Sequence, residues 1–371
     1  QPSCARMTYQ GAIDTTSSKV TSGQMLRIID ANLNRIGEGL RLLEDLARLI
    51  LNDATLTKQL KTMRHELVKS DWSFHQQLLN ARDSENDVGI NIEAPEEEKP
   101  RELPIMVVAN ARRVQESLRT LEELAKTPDI SPKLDPEKFK QARFNLYTIE
   151  QNLLSKLLRQ DKIKRMPGLY VIIDTQGLKG RSQIEVASQV IRGGAKTIQL
   201  RNKLQSKKEL LPIAQQLRNL CAKHNVLFIV NDYLDIALAA DADGLHLGQS
   251  DLPISTTRKL LPIDKILGCS TTTVDQAIAA QADGADYIAV GSIYPTTSKK
   301  TAKVVGLKRL RQIRQRVTLP LVAIGGINQN NAAEVMAAGA DSVAVISAVL
   351  QAEAPEEAAR QIVDRLESKG E

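Results

Sequence analysis

From Pro167 onward, short runs rich in valine and isoleucine alternate with amphipathic helical patterns, and this alternation restricts the possible fold more than any other feature. The predicted strands are Leu169–Asp174, Thr197–Arg201, Leu227–Asp232, Gly244–Leu247, Ile266–Ser270, Tyr287–Val290, Leu321–Gly325 and Ser342–Ser347. Eight strand–helix units in about 200 residues match the arithmetic of a (β/α)8 TIM barrel. A doubly wound open sheet usually carries a glycine-rich turn after its first strand, and Thr175-Gln176-Gly177-Leu178 lacks that pattern. We therefore predict an α/β barrel over residues 167–371.

The region before the barrel has apolar residues spaced three and four apart, from residue 25 to about residue 160. This spacing predicts amphipathic helices. The apolar stripe of the first helix comprises Ile29, Leu33, Ile36, Leu40, Leu43, Leu46 and Ile50. The segment Ala31–Glu44 matches Ala109–Glu122, and Arg64 and Arg143 follow in nearly equivalent places. We therefore predict an all-α helical bundle domain over residues 25–160, built from two similar helical hairpins.

Both copies of this repeat carry alternating arginines and glutamates on one helix face. They are Arg35, Glu38, Arg41 and Glu44 in the first copy and Arg113, Glu116, Arg119 and Glu122 in the second. One interpretation is exposed intrahelical ion pairing, which stabilises a helix little. A second is an internal charged network at an interface between repeats or subunits, which would suit a homo-oligomer formed through the helical domain. A third is a second site for an anionic ligand.

Composition limits the classes of function. The net charge is +6, but no block of lysine and arginine is interleaved with aromatic residues, so nucleic-acid binding is not indicated. No apolar run of about 18 residues is present, so no membrane span is expected. The scattered cysteines Cys4, Cys221 and Cys269 fit a reducing compartment, and we expect a cytoplasmic protein. Residues 1–24 begin with a stretch rich in serine, threonine and glycine, which predicts a disordered leader.

Polar residues concentrate at the predicted C-terminal ends of the barrel strands, where such barrels carry their active sites. Asp232 and Asp251 are natural ligands for one Mg²⁺, which prefers few carboxylates together with water and phosphate oxygens. The cations Arg201, Lys203 and Lys299 can neutralise a diphosphate. Glycines after the seventh strand and the short segment after the eighth would hold a phosphate through backbone N–H groups. The rim therefore predicts chemistry on phosphorylated small molecules.

Several of these residues also have less specific interpretations. Either aspartate alone would suit a helix N-cap, and Arg201 and Lys203 would suit a solvated surface. We interpret His246 as a structural hydrogen-bonding residue rather than a general base. Cys269 fits a packed small hydrophobe better than a nucleophile.

Six motifs in order along the barrel resemble those of the thiamine-phosphate synthase family. They are Gln199-Leu200-Arg201-Asn202-Lys203, Val230-Asn231-Asp232, the run from Asp243 to Asp251, Gly268-Cys269-Ser270, the run from Ile293 to Lys299, and Ile324-Gly325-Gly326-Ile327. Each motif alone is a weak signal, but six in the right order are specific. The resemblance implies a transferase that joins hydroxymethylpyrimidine diphosphate to thiazole phosphate, giving thiamine phosphate and pyrophosphate.

The resemblance also implies roles for individual residues. The diphosphate would be held by Gln199, Arg201, Lys203, Asn231 and Lys299. Asp232 and Asp251 would bind the Mg²⁺ that bridges it, and Ser270 would lie near the pyrimidine and the departing group. The thiazole phosphate would be held by Thr296, Ser298, Gly326, Ile346 and Ser347. Arg201, Lys203, Ser270 and Lys299 would take part in catalysis.

Departures from the family pattern are small: Ser292 and Ser298 stand where the family often has proline and threonine. Three other functions remain open. A thiazole tautomerase on the same barrel would not need the diphosphate cations and the carboxylate pair together. A non-catalytic barrel scaffold with a partner-binding helical domain would not need the intact rim. A separate reaction in the helical domain lacks a visible nucleophile–base pair or metal cluster.

Overall fold

The computed structural model describes residues 22–69, 71–88, 102–127, 130, 134–296 and 303–367. The chain divides into two compact units, with the boundary between Leu154 and Ser155. Of the predicted leader, residues 1–21 lie outside the described residues, and residues 22–24 belong to the first helix. No helix in the described ranges is long and apolar enough to cross a membrane.

The first unit is helical. The helices described before the barrel are α1 (Ser22–Asp45), α2 (Ala54–Val68), α3 (Trp72–Ala81), α4 (Leu103–Leu124) and α5 (Pro136–Arg165), whose last residues belong to the second unit. A π-helical turn, Leu46–Ile50, follows α1. The predicted stripe of α1 is buried from Ile29 to Leu46, whereas Ile50 is half-buried. Asp53 ends the connection into α2 as an N-cap, because its side chain accepts the backbone N–H groups of Thr55 and Leu56.

The charged face of the repeat separates into the exposed Arg41 and Arg119, which form intrahelical ion pairs, and two further parts. Glu44 and Glu122 are buried, and each is bridged by an arginine from a later helix: Arg64 Nη2 lies 3.0 Å from Glu44 Oε2, and Arg143 Nη2 lies 2.9 Å from Glu122 Oε2. An internal charged network therefore occupies equivalent places in both copies. The other part lines a cleft of about 530 Å³ between α1 and α4, formed by Arg35, Glu38, Arg113 and Glu116 with Asn32, Gly39, Asn110, Ser117 and Thr120.

The second unit is built on a closed barrel of parallel strands in chain order. The strands are β1 (Gly168–Asp174), β2 (Thr197–Arg201), β3 (Leu227–Asn231), β4 (Gly244–Leu247), β5 (Ile266–Thr271), β6 (Tyr287–Gly291), β7 (Leu321–Ile324) and β8 (Ser342–Val345). The predicted (β/α)8 barrel is confirmed. The open-sheet alternative is excluded because β1 pairs with both β2 and β8.

The helices around the barrel are α6 (Gln183–Arg192), α7 (Lys207–Lys223), α8 (Leu234–Ala239), α9 (Ile254–Leu260), α10 (Val274–Ala282), α11 (Gly306–Arg314), α12 (Ala332–Ala337), α13 (Ser347–Leu350) and α14 (Pro355–Glu367). Successive side chains of a strand alternate between two packing layers. On β1, Leu169, Val171 and Ile173 join the core beneath these helices, whereas Tyr170 and Ile172 fill the barrel interior.

The N-terminal end of the barrel is closed by the residues that lead into it. Met166 is fully buried in the interior core, and Ser342 Oγ donates a 3.0 Å hydrogen bond to its carbonyl. Arg159, near the end of α5, places Nε 2.8 Å from Asp286 Oδ1, while Arg258 places Nη1 3.0 Å from Asp286 Oδ2. This end is therefore sealed, and the opposite end of the strands is left for ligand access.

Candidate active site at the C-terminal end of the barrel

A cavity of about 620 Å³ opens at the C-terminal ends of the strands. The predicted site residues that line it are Gln199, Arg201, Lys203, Asn231, Asp232, Asp251, Ser270, Thr296, Gly326, Ile346 and Ser347. The remaining two, Ser298 and Lys299, lie outside the described residues. The convergence of the residues that line the cavity follows from the fold, because parallel strands of one barrel all end on the same rim.

Strand β2 carries two of the polar groups into the cavity. Arg201 forms an ion pair with the buried carboxylate of Asp174, at the end of the neighbouring strand β1. Gln199 is 2% exposed, and its Nε2 atom has no hydrogen-bond partner among the described residues. A buried amide donor that faces a cavity without a partner is costly unless a ligand or water accepts from it. Gln199 is therefore arranged to donate to a bound molecule.

A pair of carboxylates stands beside these cations. Asp232 follows β3 in a left-handed conformation, with φ of 63°, and its Oδ2 lies 3.6 Å from Lys203 Nζ. Asp251 Oδ2 accepts a 2.6 Å hydrogen bond from the backbone N–H of Gly248. Burial, together with the charge and hydrogen bond of Asp251, raises the pKa of Asp232 above its ordinary value, despite the opposing effect of Lys203 and Arg201. Two such neighbouring carboxylates suit a shared cation.

Strands β4, β5 and β6 bring together a serine, a histidine and a tyrosine. His246 Nε2 and Ser270 Oγ are 2.8 Å apart, and His246 Nδ1 and Tyr287 Oη are 2.9 Å apart. Burial lowers the pKa of His246 to about 4, although the charge of Asp251 opposes this, so the ring is neutral near pH 7. The contacts of His246 are those of the structural hydrogen-bonding residue that the sequence favoured.

Two glycines bring the backbone after β7 close to the loop after β6. Gly325 and Gly326 have φ of 103° and 67°, values that residues other than glycine rarely adopt. A Cβ atom on Gly325 would lie 2.0 Å from Ser292 Oγ, and one on Gly326 would lie 2.5 Å from the Pro295 carbonyl oxygen. This close approach leaves backbone groups exposed at the cavity wall next to Ile346 and Ser347, which follow the neighbouring strand β8.

Comparison with known proteins identifies the family. Residues 169–349 match the family model described as thiamine monophosphate synthase, and residues 27–152 match the model described as the ThiD2 family. A thiamine-phosphate synthase from Nostoc is 38% identical over 340 residues, which cover 92% of this chain and 93% of that protein. One from Thermosynechococcus vestitus is 37% identical over 353 residues, which cover 95% and 97% of the two chains.

The chain belongs to the thiamine-phosphate synthase family. A solved structure of the thiamine phosphate pyrophosphorylase from Pyrococcus furiosus superposes with a TM-score of 0.52 at 39% identity. The aligned region covers 57% of this chain and 98% of the Pyrococcus furiosus chain. The two relatives above match far more of the chain than that, so the region before the barrel also has counterparts within the family.

Some residues in or beside the cavity of this thiamine-phosphate synthase family member were not predicted as site residues. Asp174 ends β1 at the same rim as the predicted residues, and this position was an available signal. Tyr170 and Tyr287 line the cavity from the strands, but their contact depends on strand register that the sequence does not display. Gln249 donates a 2.7 Å hydrogen bond to the Ser270 carbonyl, and Lys303 also lines the cavity.

The cysteine of the site region agrees with its sequence interpretation. Cys269 is buried beside Ser270, and burial, helped by the charge of Asp283, raises the pKa of its thiol to about 11. A thiol with so high a pKa is a poor nucleophile at neutral pH. Cys269 is therefore a packing residue of the outer barrel core.

Proposed function

We propose that this protein joins hydroxymethylpyrimidine diphosphate to thiazole phosphate and releases pyrophosphate. The observation that carries the proposal is the meeting of paired carboxylates, diphosphate-binding cations and an unpartnered buried amide on one cavity wall. Family membership supports the same reaction. A thiazole isomerase would not need this combination, so the geometry favours the transferase.

The departing diphosphate would be held by Gln199, Arg201, Lys203, Asn231 and Lys299. Cleavage at the pyrimidine methylene would leave a carbocation that the aromatic ring stabilises, so the reaction depends on stabilising the leaving group rather than on activating the nucleophile. Arg201 is suited to this role because its pairing with Asp174 fixes the guanidinium before substrate binds. Lys203 and Lys299 would add further positive charge.

Asp232 and Asp251 would hold Mg²⁺. The donor set fits this ion, because two carboxylates leave room for phosphate oxygens and water. Burial, followed by the charge of Asp251, raises the pKa of Asp232, and a cation bound between the two carboxylates would stabilise both charges. When bound, the metal would neutralise charge on the diphosphate.

The thiazole phosphate would be held by Thr296, Ser298, Gly326, Ile346 and Ser347, around the loops after β6, β7 and β8. Anchoring the phosphate there would aim the ring nitrogen at the pyrimidine methylene, and positioning of this kind is a large part of such catalysis. The nitrogen lone pair needs no general base. The neutral, buried His246 is consistent with a reaction that requires none.

For the chain as a whole, we propose a catalytic barrel over 167–371 preceded by a helical domain over 25–160. Its partners would be these small-molecule substrates, without nucleic acid or membrane, and the helical domain would be a surface for homo-oligomer formation. A cytoplasmic location suits this chemistry and the two described cysteines, both of which are unpaired.

The test is an assay of the full chain with both substrates, with and without Mg²⁺, following thiamine phosphate. Asp251→Asn should lower kcat/KM by about 10²-fold, the scale expected when one group that stabilises developing charge is lost. Asp364→Asn makes the same chemical change at an exposed position of α14 and should leave the rate unchanged. A folded protein that forms no product would overturn the proposal, and the thiazole isomerisation would then be assayed alone.

A further inference from the structure

A chain of hydrogen bonds runs through the barrel interior and ends at the cavity surface. It begins at Tyr170, whose hydroxyl lies 3.1 Å from that of Tyr287, and continues through His246 to Ser270. Tyr170 is 2% exposed, Tyr287 is fully buried and His246 is 7% exposed, whereas Ser270 is half-buried at the cavity. All four side chains line the cavity, and Ser270 is the most exposed of them, so its hydroxyl is the group best placed to contact a ligand.

The ring of Tyr287, at the centre of this chain, occupies space that is available because Gly268 has no side chain. A Cβ atom on Gly268 of β5 would lie 2.0 Å from Cζ and 2.4 Å from Oη of Tyr287. The ring thus crosses β5 where only glycine leaves room, and it stacks on His246 at 5.5 Å between ring centroids. This packing fixes the Tyr287 hydroxyl against His246 Nδ1.

The protons of the chain can be arranged in two directions. In one, Ser270 donates to His246, His246 donates to Tyr287, and Tyr287 donates to Tyr170. The hydroxyl hydrogen of Tyr170 then has no acceptor, because Tyr287 is its one hydrogen-bond partner among the described residues. Leaving a buried donor unsatisfied costs about 1–3 kcal/mol, so this direction is disfavoured.

In the opposite direction every buried donor is satisfied. Tyr170 donates to Tyr287, Tyr287 donates to His246 Nδ1, and His246 Nε2–H donates to Ser270 Oγ. The imidazole is neutral here, since its two ring nitrogens contact hydroxyl groups and no carboxylate. The hydroxyl hydrogen of Ser270 is then free to point into the cavity.

We propose that Tyr287 is a positioning residue of the transfer reaction: it fixes His246 as the Nε2–H tautomer, so that Ser270 acts as a hydrogen-bond donor to the substrate. This inference rests on the proposed function for its substrate, but the tautomer itself is a property of the free protein. Ser270 touches the ligand, whereas Tyr287 acts only through His246.

The first measurement is the ¹⁵N NMR spectrum of ring-labelled histidines in the full chain without substrate. The chain has four histidines, and the His246 signals are identified by their loss in His246→Asn. The proposal expects the proton on Nε2. A proton on Nδ1 overturns it, whether or not the protein proves to be a synthase.

The second measurement compares two Tyr→Phe variants of the same barrel core. Tyr287→Phe removes the donor to Nδ1, so the two tautomers of His246 should mix and kcat should fall by about 3-fold to 10-fold, the loss of one net hydrogen bond. The KM for thiazole phosphate should stay within about 2-fold of the wild-type value. In Tyr170→Phe, Tyr287 can still donate to His246, so the Nε2–H tautomer should be retained.

A role in packing alone predicts that the two variants affect the tautomer of His246 alike. Equal mixing of the tautomers in both variants would overturn the proposal, as would a Tyr287→Phe variant with wild-type kcat. If Tyr287→Phe does not fold, the tautomer of the wild-type protein still decides. Absence of thiamine phosphate from the wild-type protein would instead refute the proposed function, leaving the tautomer result intact.

Discussion

Two glycines in helix α1 offer a matched test of how closely α1 and α4 pack. A Cβ atom on Gly39 would lie 2.5 Å from Cγ2 of Val114 and 3.3 Å from the Asn110 carbonyl oxygen. A Cβ atom on Gly37 would meet only Cγ2 of Val68, at 3.6 Å, an ordinary contact. Glycine is required at the first position and not at the second.

The magnitude follows from two effects. Replacing glycine by alanine inside a helix stabilises it by about 1 kcal/mol, and this gain applies to both positions. Overpacking at Gly39 opposes it by about 1–3 kcal/mol, because the branched side chain of Val114 has little freedom to rotate in a helix. Gly37→Ala should therefore raise the free energy of unfolding by about 1 kcal/mol. The free energy of unfolding of Gly39→Ala should be about 1–3 kcal/mol lower than that of Gly37→Ala.

Urea denaturation of the two variants measures this difference. The fluorescence of Trp72, the single tryptophan of the chain, reports on the helical unit, because this residue lies in α3. A probe confined to one unit is needed, since a chain with two units need not unfold in one step. Equal stabilities of Gly37→Ala and Gly39→Ala would refute the close approach of α1 and α4 at Gly39.

Three further outcomes follow from the structure. Burial opposes ionisation of Glu122, but the hydrogen bond from Arg143 and nearby positive charges hold its pKa below the ordinary value, so its stabilising effect is present at neutral pH and lost as the pH falls through that lowered pKa. Glu122→Gln should lower the free energy of unfolding by about 1.5–3 kcal/mol at pH 7. Urea denaturation at a series of pH values should show a smaller loss of stability at acid pH in this variant than in the wild type. Asp174→Asn should free Arg201 and raise the KM for the pyrimidine diphosphate by about 10-fold, with thiazole phosphate as the comparison substrate. Gly326→Ala should do the reverse, raising the KM for thiazole phosphate by about 10-fold, because its Cβ atom would meet the Pro295 carbonyl.

The barrel could be predicted in detail because its signal is local. A strand buried on both faces reads as a short apolar run, and β2 and β4 have the predicted bounds Thr197–Arg201 and Gly244–Leu247. The gathering of Arg201, Asp232 and Asp251 was equally accessible, because parallel strands place their C-terminal ends on one rim. Neither prediction required knowledge of a distance across the barrel.

Contacts that depend on such distances could not be predicted. The sequence gives no measure of how far Tyr170 on β1 lies from Tyr287 on β6, since these strands are not neighbours. The contacts of the charged repeat could not be predicted for the same reason. The spacing of Arg41 and Glu44 is that of an exposed intrahelical pair, and only the packing of α2 against α1 brings Arg64 to the buried Glu44.

Gly268 connects the fold of the barrel with the arrangement of its site. A side chain at this position on β5 would fill the interior, as Tyr287 does from β6. Its absence lets one large ring occupy the space of two residues, so the interior stays packed while a hydroxyl reaches His246. The ring also packs in one buried cluster with Met166 and Tyr170, and it lines the cavity together with Ser270. Tyr170, Tyr287 and His246 are each at most 7% exposed. This burial is what favours one direction of the hydrogen bonds, since a water molecule hydrogen-bonded to Tyr170 would satisfy either direction.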